Sequence, residues 1–242
     1  LSLGTNSGKF SQIHGLRLKK NNSLLSSIET RGEYDPLYFD YQTNITYKPN
    51  DRWSVNLLGN ISINDFKFKP SDRETSFGTA SDVKQFKVYF DGEEKDKFET
   101  YFGTVSLNYK RNRATTFSLL FSGFLTNEFV SYDISGEYWL DQAGTGGSDG
   151  IGGELGVGKY MEHSRNRLKA SVLTGALKGS TVAGRNHLSY GIVYAHENFR
   201  DRTKEWEWRD SAGYSLPTKP DGVHLVYNLS SRQDITTNRF AV

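Results

Sequence analysis

LYFDYQTNITYKPNDRWSVNLLGNISIN, residues 37–64, decides the fold. Leu37, Phe39, Tyr41, Thr43, Ile45 and Tyr47 recur at every second position, with Tyr38, Asp40, Gln42, Asn44, Thr46 and Lys48 between them. Side chains alternate across a strand, so a period of two is strand and not helix. After Pro49-Asn50-Asp51, a second run sets Trp53, Val55, Leu57, Gly59, Ile61 and Ile63 against Ser54, Asn56, Leu58, Asn60, Ser62 and Asn64, which predicts a long hairpin. Neither apolar face carries a charge. Lipid would demand this, because Lys or Arg there costs roughly 2 to 4 kcal/mol near the bilayer midplane.

A protein core would exclude charge as well, so the polar face and the loops must separate the two cases. Further turns are expected around Lys110 to Arg113 and Lys178 to Asn186, whereas Phe66 to Phe98, Thr126 to Asn166 and Glu197 to Gly222 read as long loops. Short turns on one rim and long loops on the other are the pattern of outer-membrane barrels. The polar face of the hairpin is mostly Asn, Ser, Thr and Gln. That suits a hydrated lumen better than a solvent face rich in Lys and Glu.

Composition agrees. The 242 residues include 24 Gly, 14 Tyr, 15 Phe and 4 Trp, only 5 Pro and no Cys, with a formal charge of +2. This is an aromatic, turn-rich β composition. Alternating strands dilute each apolar residue with a polar one, so the roughly 20-residue run of a membrane helix is neither present nor needed. Near-neutral charge gives no reason to expect nucleic acid.

Strands are expected from Leu37, Trp53, Tyr101, Thr115, Leu168, His187, Val223 and Ile235, with another near Gly15. Eight or nine strands would be part of a large barrel, since the largest plugged transporters use about 22. The expected domain is therefore a single partial barrel over residues 1–242, read as an internal piece of a longer protein. Tyr47, Trp53 and Tyr109 fall close to tight turns and are the expected membrane-interface aromatics. The third hairpin is less regular: Leu188, Tyr190, Ile192 and Tyr194 alternate cleanly, but Leu168 to Leu177 is apolar on both faces.

Longer strings carry a family likeness. Arg73-Glu74-Thr75-Ser76-Phe77-Gly78-Thr79, Phe86-Lys87-Val88-Tyr89-Phe90-Asp91-Gly92 leading to Phe98-Glu99-Thr100-Tyr101-Phe102-Gly103, and Gly136-Glu137-Tyr138-Trp139-Leu140 resemble TonB-dependent outer-membrane receptors. So do Gly156-Val157-Gly158-Lys159-Tyr160-Met161-Glu162-His163 and the run from Trp206 to Pro217. The resemblance is to large receptors of gut-type Gram-negative bacteria that often carry an N-terminal carboxypeptidase-regulatory-like domain. It implies a plugged barrel in the bacterial outer membrane that binds an extracellular nutrient and imports it with energy relayed by the TonB complex. No plug-like segment or TonB box is visible in these residues, so the contact with the TonB complex is expected through a plug region outside them. No ligand residue carries over position by position.

Recognition is expected in the long loops, where Tyr138, Trp139, Trp206, Trp208 and Tyr214 offer flat surfaces for stacking on a sugar or aromatic ligand, or pack the loops on one another. Trp206 and Trp208 alternate with Glu205, Glu207 and Arg209 in the manner of a short strand. Asp141, Asp149 and Glu154 could offer oxygens to calcium, but they lack EF-hand spacing and read as a flexible loop. The five histidines show no metal-ligand spacing, and neither a nucleophile elbow nor a phosphate loop occurs, so no catalytic residue, cofactor or metal is expected. Four glycosylation sequons read as chance. The other reading is a secreted, soluble β-sandwich that binds carbohydrate, which requires a closed core within these residues.

Overall fold

The computed structural model describes residues 1–20, 32–79, 82–143, 154–211 and 225–242. They form ten strands: β1 (Ser2–Ser7), β2 (Phe10–Lys20), β3 (Gly32–Tyr47), β4 (Trp53–Pro70), β5 (Arg73–Thr79), β6 (Asp82–Lys110), β7 (Thr115–Ala143), β8 (Glu154–Ala183), β9 (Asn186–Ser211) and β10 (Leu225–Ala241). Every pairing is antiparallel, in the order β1-β2-β3-β4-β6-β7-β8-β9-β10, an up-and-down sheet in which β1 and β10 do not pair with each other. β5 pairs with β6 from Arg73↔Val88 to Thr79↔Asp82, beyond the stretch of β6 that β4 occupies. It therefore continues the lane of β4 after the interruption at Pro70, where Asp72 accepts the Phe90 N–H at 2.7 Å.

The turns follow from local chemistry. Gly8 and Gly184 have φ of 55° and 61° and open two-residue hairpins between Ser7↔Phe10 and Ala183↔Asn186. Glycine at the first central position is what a type II′ turn requires. At the other two turns an asparagine folds the chain. The Asn50 carboxamide oxygen accepts the N–H groups of Arg52 and Trp53 at 2.9 and 3.0 Å, and that of Asn112 accepts those of Ala114 and Thr115 at 2.9 and 2.8 Å.

Several expectations need correction. The three segments read as long loops are mostly strand: β6 and β7 each run 29 residues, β8 runs 30 and β9 runs 26. Hydrophobic alternation fades there because charged and polar residues occupy both faces, yet backbone pairing needs no such alternation and continues. The two strands expected from Val223 and Ile235 are one, β10, since the polar run Ser230 to Asp234 stays paired with Asp234↔Arg200 and Ser230↔Lys204. The turn expected over Lys178 to Asn186 narrows to Gly184 and Arg185.

A sandwich needs two facing layers. The described residues form one layer, and the buried hydrophobic side chains among them are Ala170, Ala176 and Ala195, only 2 to 5 % exposed. All three lie on the polar face, each opposite larger residues on the paired strands: Thr126 and Phe199 flank Ala170, Leu120 and Val193 flank Ala176, and Thr174 and Arg239 flank Ala195. This also explains why the segment Leu168 to Leu177 is apolar on both faces: the small residues are packed between strands, while Leu173 and Leu177 on the opposite face stay 61 and 53 % exposed.

Candidate membrane interface

The register assembles the exposed apolar face into rows. One row runs Phe10–Tyr47–Val55–Leu107–Leu119–Leu177–Ile192, and one step nearer the turns another runs Trp53–Tyr109–Phe117–Gly179–Tyr190. The rings of Trp53 and Tyr109 lie 4.5 Å apart and those of Phe117 and Tyr190 6.4 Å apart. Tyr47, Trp53 and Tyr109 are thus brought together at the turn rim as neighbours in one aromatic belt. Phe117 and Tyr190 also belong to it; both lie a few residues from a turn, a signal open to the sequence, and the cross-strand register sets them in the row of Trp53 and Tyr109.

These rows are not level. Along the first row, the residues facing each other across successive turns are Ser7 and Phe10, Tyr47 and Val55, Leu107 and Leu119, Leu177 and Ile192, so the chain hanging below the row lengthens with each hairpin. The turn tips drift by about one residue per strand. With about 3.3 Å per residue and about 4.8 Å between strands, a level rim requires strands inclined by about 35°. Transmembrane barrels tilt their strands by about 35 to 45°.

The same tilt levels the other edge of the apolar face. Its upper edge steps along the strands through Phe39, Ile63, Tyr101, Leu125, Leu173 and Phe240, at unequal distances from the row of Phe10 and Tyr47, and one step beyond it Leu37 already faces Asp65. Inclined by about 35°, they come to about 30 Å above the turn tips, while Phe10, Tyr47, Trp53 and Tyr109 come to about 5 to 8 Å. The interval of about 22 to 25 Å is the height of the apolar band of an outer-membrane barrel. Among the described residues, Asp and Glu, Lys and Arg are absent from this face between the two edges.

The opposite face carries a neutral polar ladder. Thr46 donates to Asn56 at 2.9 Å, Asn56 to Ser106 at 3.3 Å and Ser118 to Asn108 at 2.6 Å. Such pairs satisfy one another and still leave lone pairs for water.

Beyond the apolar band the strands project further, and the aromatics expected to contact ligand lie there. The structure separates them. Alternation puts Trp139, Trp206 and Trp208 on the face continuous with the apolar band, and Tyr138 on the polar face, where its ring covers Gly158 and lies 6.2 Å from Phe86. Trp206 stacks on His163 at 4.9 Å, and not on the other three. Tyr214 and Asp149 lie outside the described residues; Asp141 pairs with Lys87 at 3.7 Å.

His163 leads to a small charged strap. Its Nδ1 lies 2.5 Å from Asp133, which also receives Arg165. Burial pushes the Asp133 carboxyl up, but the hydrogen bonds from Arg165 and His163 outweigh it and hold it below the usual carboxylate range. A depressed folded value contributes stability above the unfolded value of about 3.9, and this is lost as pH falls through the folded one. Amide exchange around residues 131–135 and 163–165 should therefore quicken below about pH 4. The Asp133→Asn variant should show no such dependence; an identical pH response in that variant would rule the strap out.

No family model matches the chain, and no curated protein does. Among solved structures it is similar to the CymD monoaromatic hydrocarbon channel, at 8% identity and a TM-score of 0.27 over 99% of this chain and 80% of that one. It is likewise similar to the P. putida toluene transporter TodX, at 8% identity and a TM-score of 0.28 over 86% of this chain and 66% of that one. Superposition this weak carries no argument, and the reading rests on the chain's own geometry.

Proposed function

We propose that these residues are wall of a transmembrane β-barrel in the bacterial outer membrane, and that the barrel's work is transport. The carrying observation is the level, charge-free apolar band with its aromatic belt, which appears only when the register is combined with a barrel's strand tilt. Water would not tolerate so extended an apolar surface on a single-layer sheet, and lipid requires it. The neutral Asn, Ser and Thr ladder on the other face supports a hydrated interior.

The finer reading is active import. The resemblance of the strings in β5 to β9 to TonB-dependent receptors supports a barrel that takes up a nutrient by way of a plug and the TonB complex. Nine lanes whose outer edges stay apart are then an arc of a cylinder of about 22 strands. Among the ligand-contact candidates in the described residues, Tyr138 alone shares the lumenal face, and it is the one this reading favours.

Depth-resolved fluorescence tests the membrane assignment. In the full-length protein in bilayers, a variant retaining Trp53 alone should be quenched by lipids brominated near the head group, while variants retaining only Trp206 or Trp208 should be quenched by aqueous iodide. The protein should also need detergent for extraction and migrate faster unboiled than boiled. A Trp53 reached equally by iodide, in a protein soluble without detergent, would sink the assignment.

A further inference from the structure

Past the apolar band, the lipid-side face of β8, β9 and β10 carries a dense block of positive charge. Three successive cross-strand rows read Lys169–Arg200–Asp234, Arg167–Arg202–Arg232 and Arg165–Lys204–Ser230. Like charges directly opposite each other in a sheet are destabilising, and the protein neutralises this block only in part. Asp234 bridges Arg202 at 3.1 Å and Arg232 at 3.6 Å, and Asp133 takes Arg165. Arg167, Lys169, Arg200 and Lys204 make no ion pair among the described residues, and all four are exposed. Beside them lies a recess of about 280 Å³ lined by Lys97, Glu99, Asn127, Phe129, Arg167 and Lys169, with the Arg167 guanidinium over the Phe129 ring at 5.1 Å.

We infer that this block is a docking site for the phosphorylated saccharide head group of an outer-leaflet glycolipid. The inference rests on the membrane reading above, and height selects the occupant. At a tilt of about 35° the three rows stand about 10 to 25 Å beyond the upper edge of the apolar band. The head-group zone of a phospholipid leaflet is only about 5 to 8 Å deep, so its phosphates stop short of the block. An amphiphile with acyl chains on the band and phosphates spread over a larger sugar core reaches it. Arginine suits the role, since its planar fork grips phosphate oxygens two at a time, and Phe129 offers a flat apolar face to a sugar ring.

The test uses the full-length protein reconstituted into nanodiscs of phosphatidylcholine, with added phosphatidylglycerol, rough-type lipopolysaccharide or inorganic phosphate. Lipopolysaccharide should raise the unfolding temperature and remain bound through size exclusion. The triple variant Arg167→Gln, Lys169→Gln, Arg200→Gln should retain at least tenfold less of it. Lys48→Gln, Arg52→Gln, Lys110→Gln, with the same loss of charge at the turn rim, should retain as much as wild type. Equal retention by both triple variants overturns the site. An equal thermal shift with inorganic phosphate or phosphatidylglycerol overturns the glycolipid as occupant. A protein that needs no detergent removes this inference together with the membrane assignment, whereas a detergent-dependent protein indifferent to lipopolysaccharide removes this inference alone.

Discussion

Leu177→Arg should destabilise the protein in bilayers by about 2 to 4 kcal/mol, whereas Ser122→Arg on the inner face of the adjacent strand should cost little. Leu177 stands about 19 Å above the turn tips, close to the middle of the apolar band, with its side chain 53 % exposed. In water, arginine at a half-exposed surface position typically changes stability by about 0.5 kcal/mol or less. In lipid the guanidinium must be dragged towards an interface more than 10 Å away, or water must be drawn in to meet it. Reversible unfolding by guanidinium chloride from phospholipid vesicles separates the cases. A Leu177→Arg cost no larger than that of Ser122→Arg would mean that this face does not meet hydrocarbon.

Gly92→Val should open the β6–β7 pairing beyond the membrane while leaving the band intact. Gly92 has φ of 107°, a conformation that side chains other than hydrogen rarely adopt, and a Cβ there would collide with the Asp133 carbonyl oxygen. The obstacle is backbone, so no side-chain rotation relieves it. A cost on the order of 3 kcal/mol follows from strain and lost pairing together. Hydrogen exchange should quicken about a hundredfold over residues 86–98 and their partners on β7, with protection near Leu107 and Leu119 unchanged. Unchanged protection around Gly92 would show that the neighbouring strand accommodates the side chain.

The legible parts of this chain were those where the two faces of a strand meet different solvents. Between Leu37 and Asn64 one face is apolar and the other polar, so a period of two is visible, and the observed register agrees with it residue by residue. Trp206 and Trp208 alternate with charged neighbours, and the strand expected there exists as the far end of β9. Phe66 to Phe98 and Thr126 to Asn166 were misread because both faces are wet beyond the membrane, and hydropathy carries no period when nothing distinguishes the faces. The same blindness split β10 at its polar middle. Of the candidate site, Tyr47, Trp53 and Tyr109 were legible from their nearness to turns, and Phe117 and Tyr190 were open to the same signal; the alignment of these rings in rows and the basic block were not, since each depends on which residues lie opposite one another several strands away.

By itself the sequence determined the class of structure: alternation, asparagine and glycine at the turns, and charge-free apolar faces fix long antiparallel hairpins and choose which face avoids water. Those are local properties, set by the pleat of a strand and the geometry of a turn. The stagger of about one residue per strand, the leveling of the apolar band, the separation of Trp139, Trp206 and Trp208 from Tyr138, and the gathering of Arg167, Lys169 and Arg200 belong to the tertiary structure alone. Register is a relation between strands, satisfied by backbone hydrogen bonds that are chemically alike at every position, and only the assembled sheet selects it.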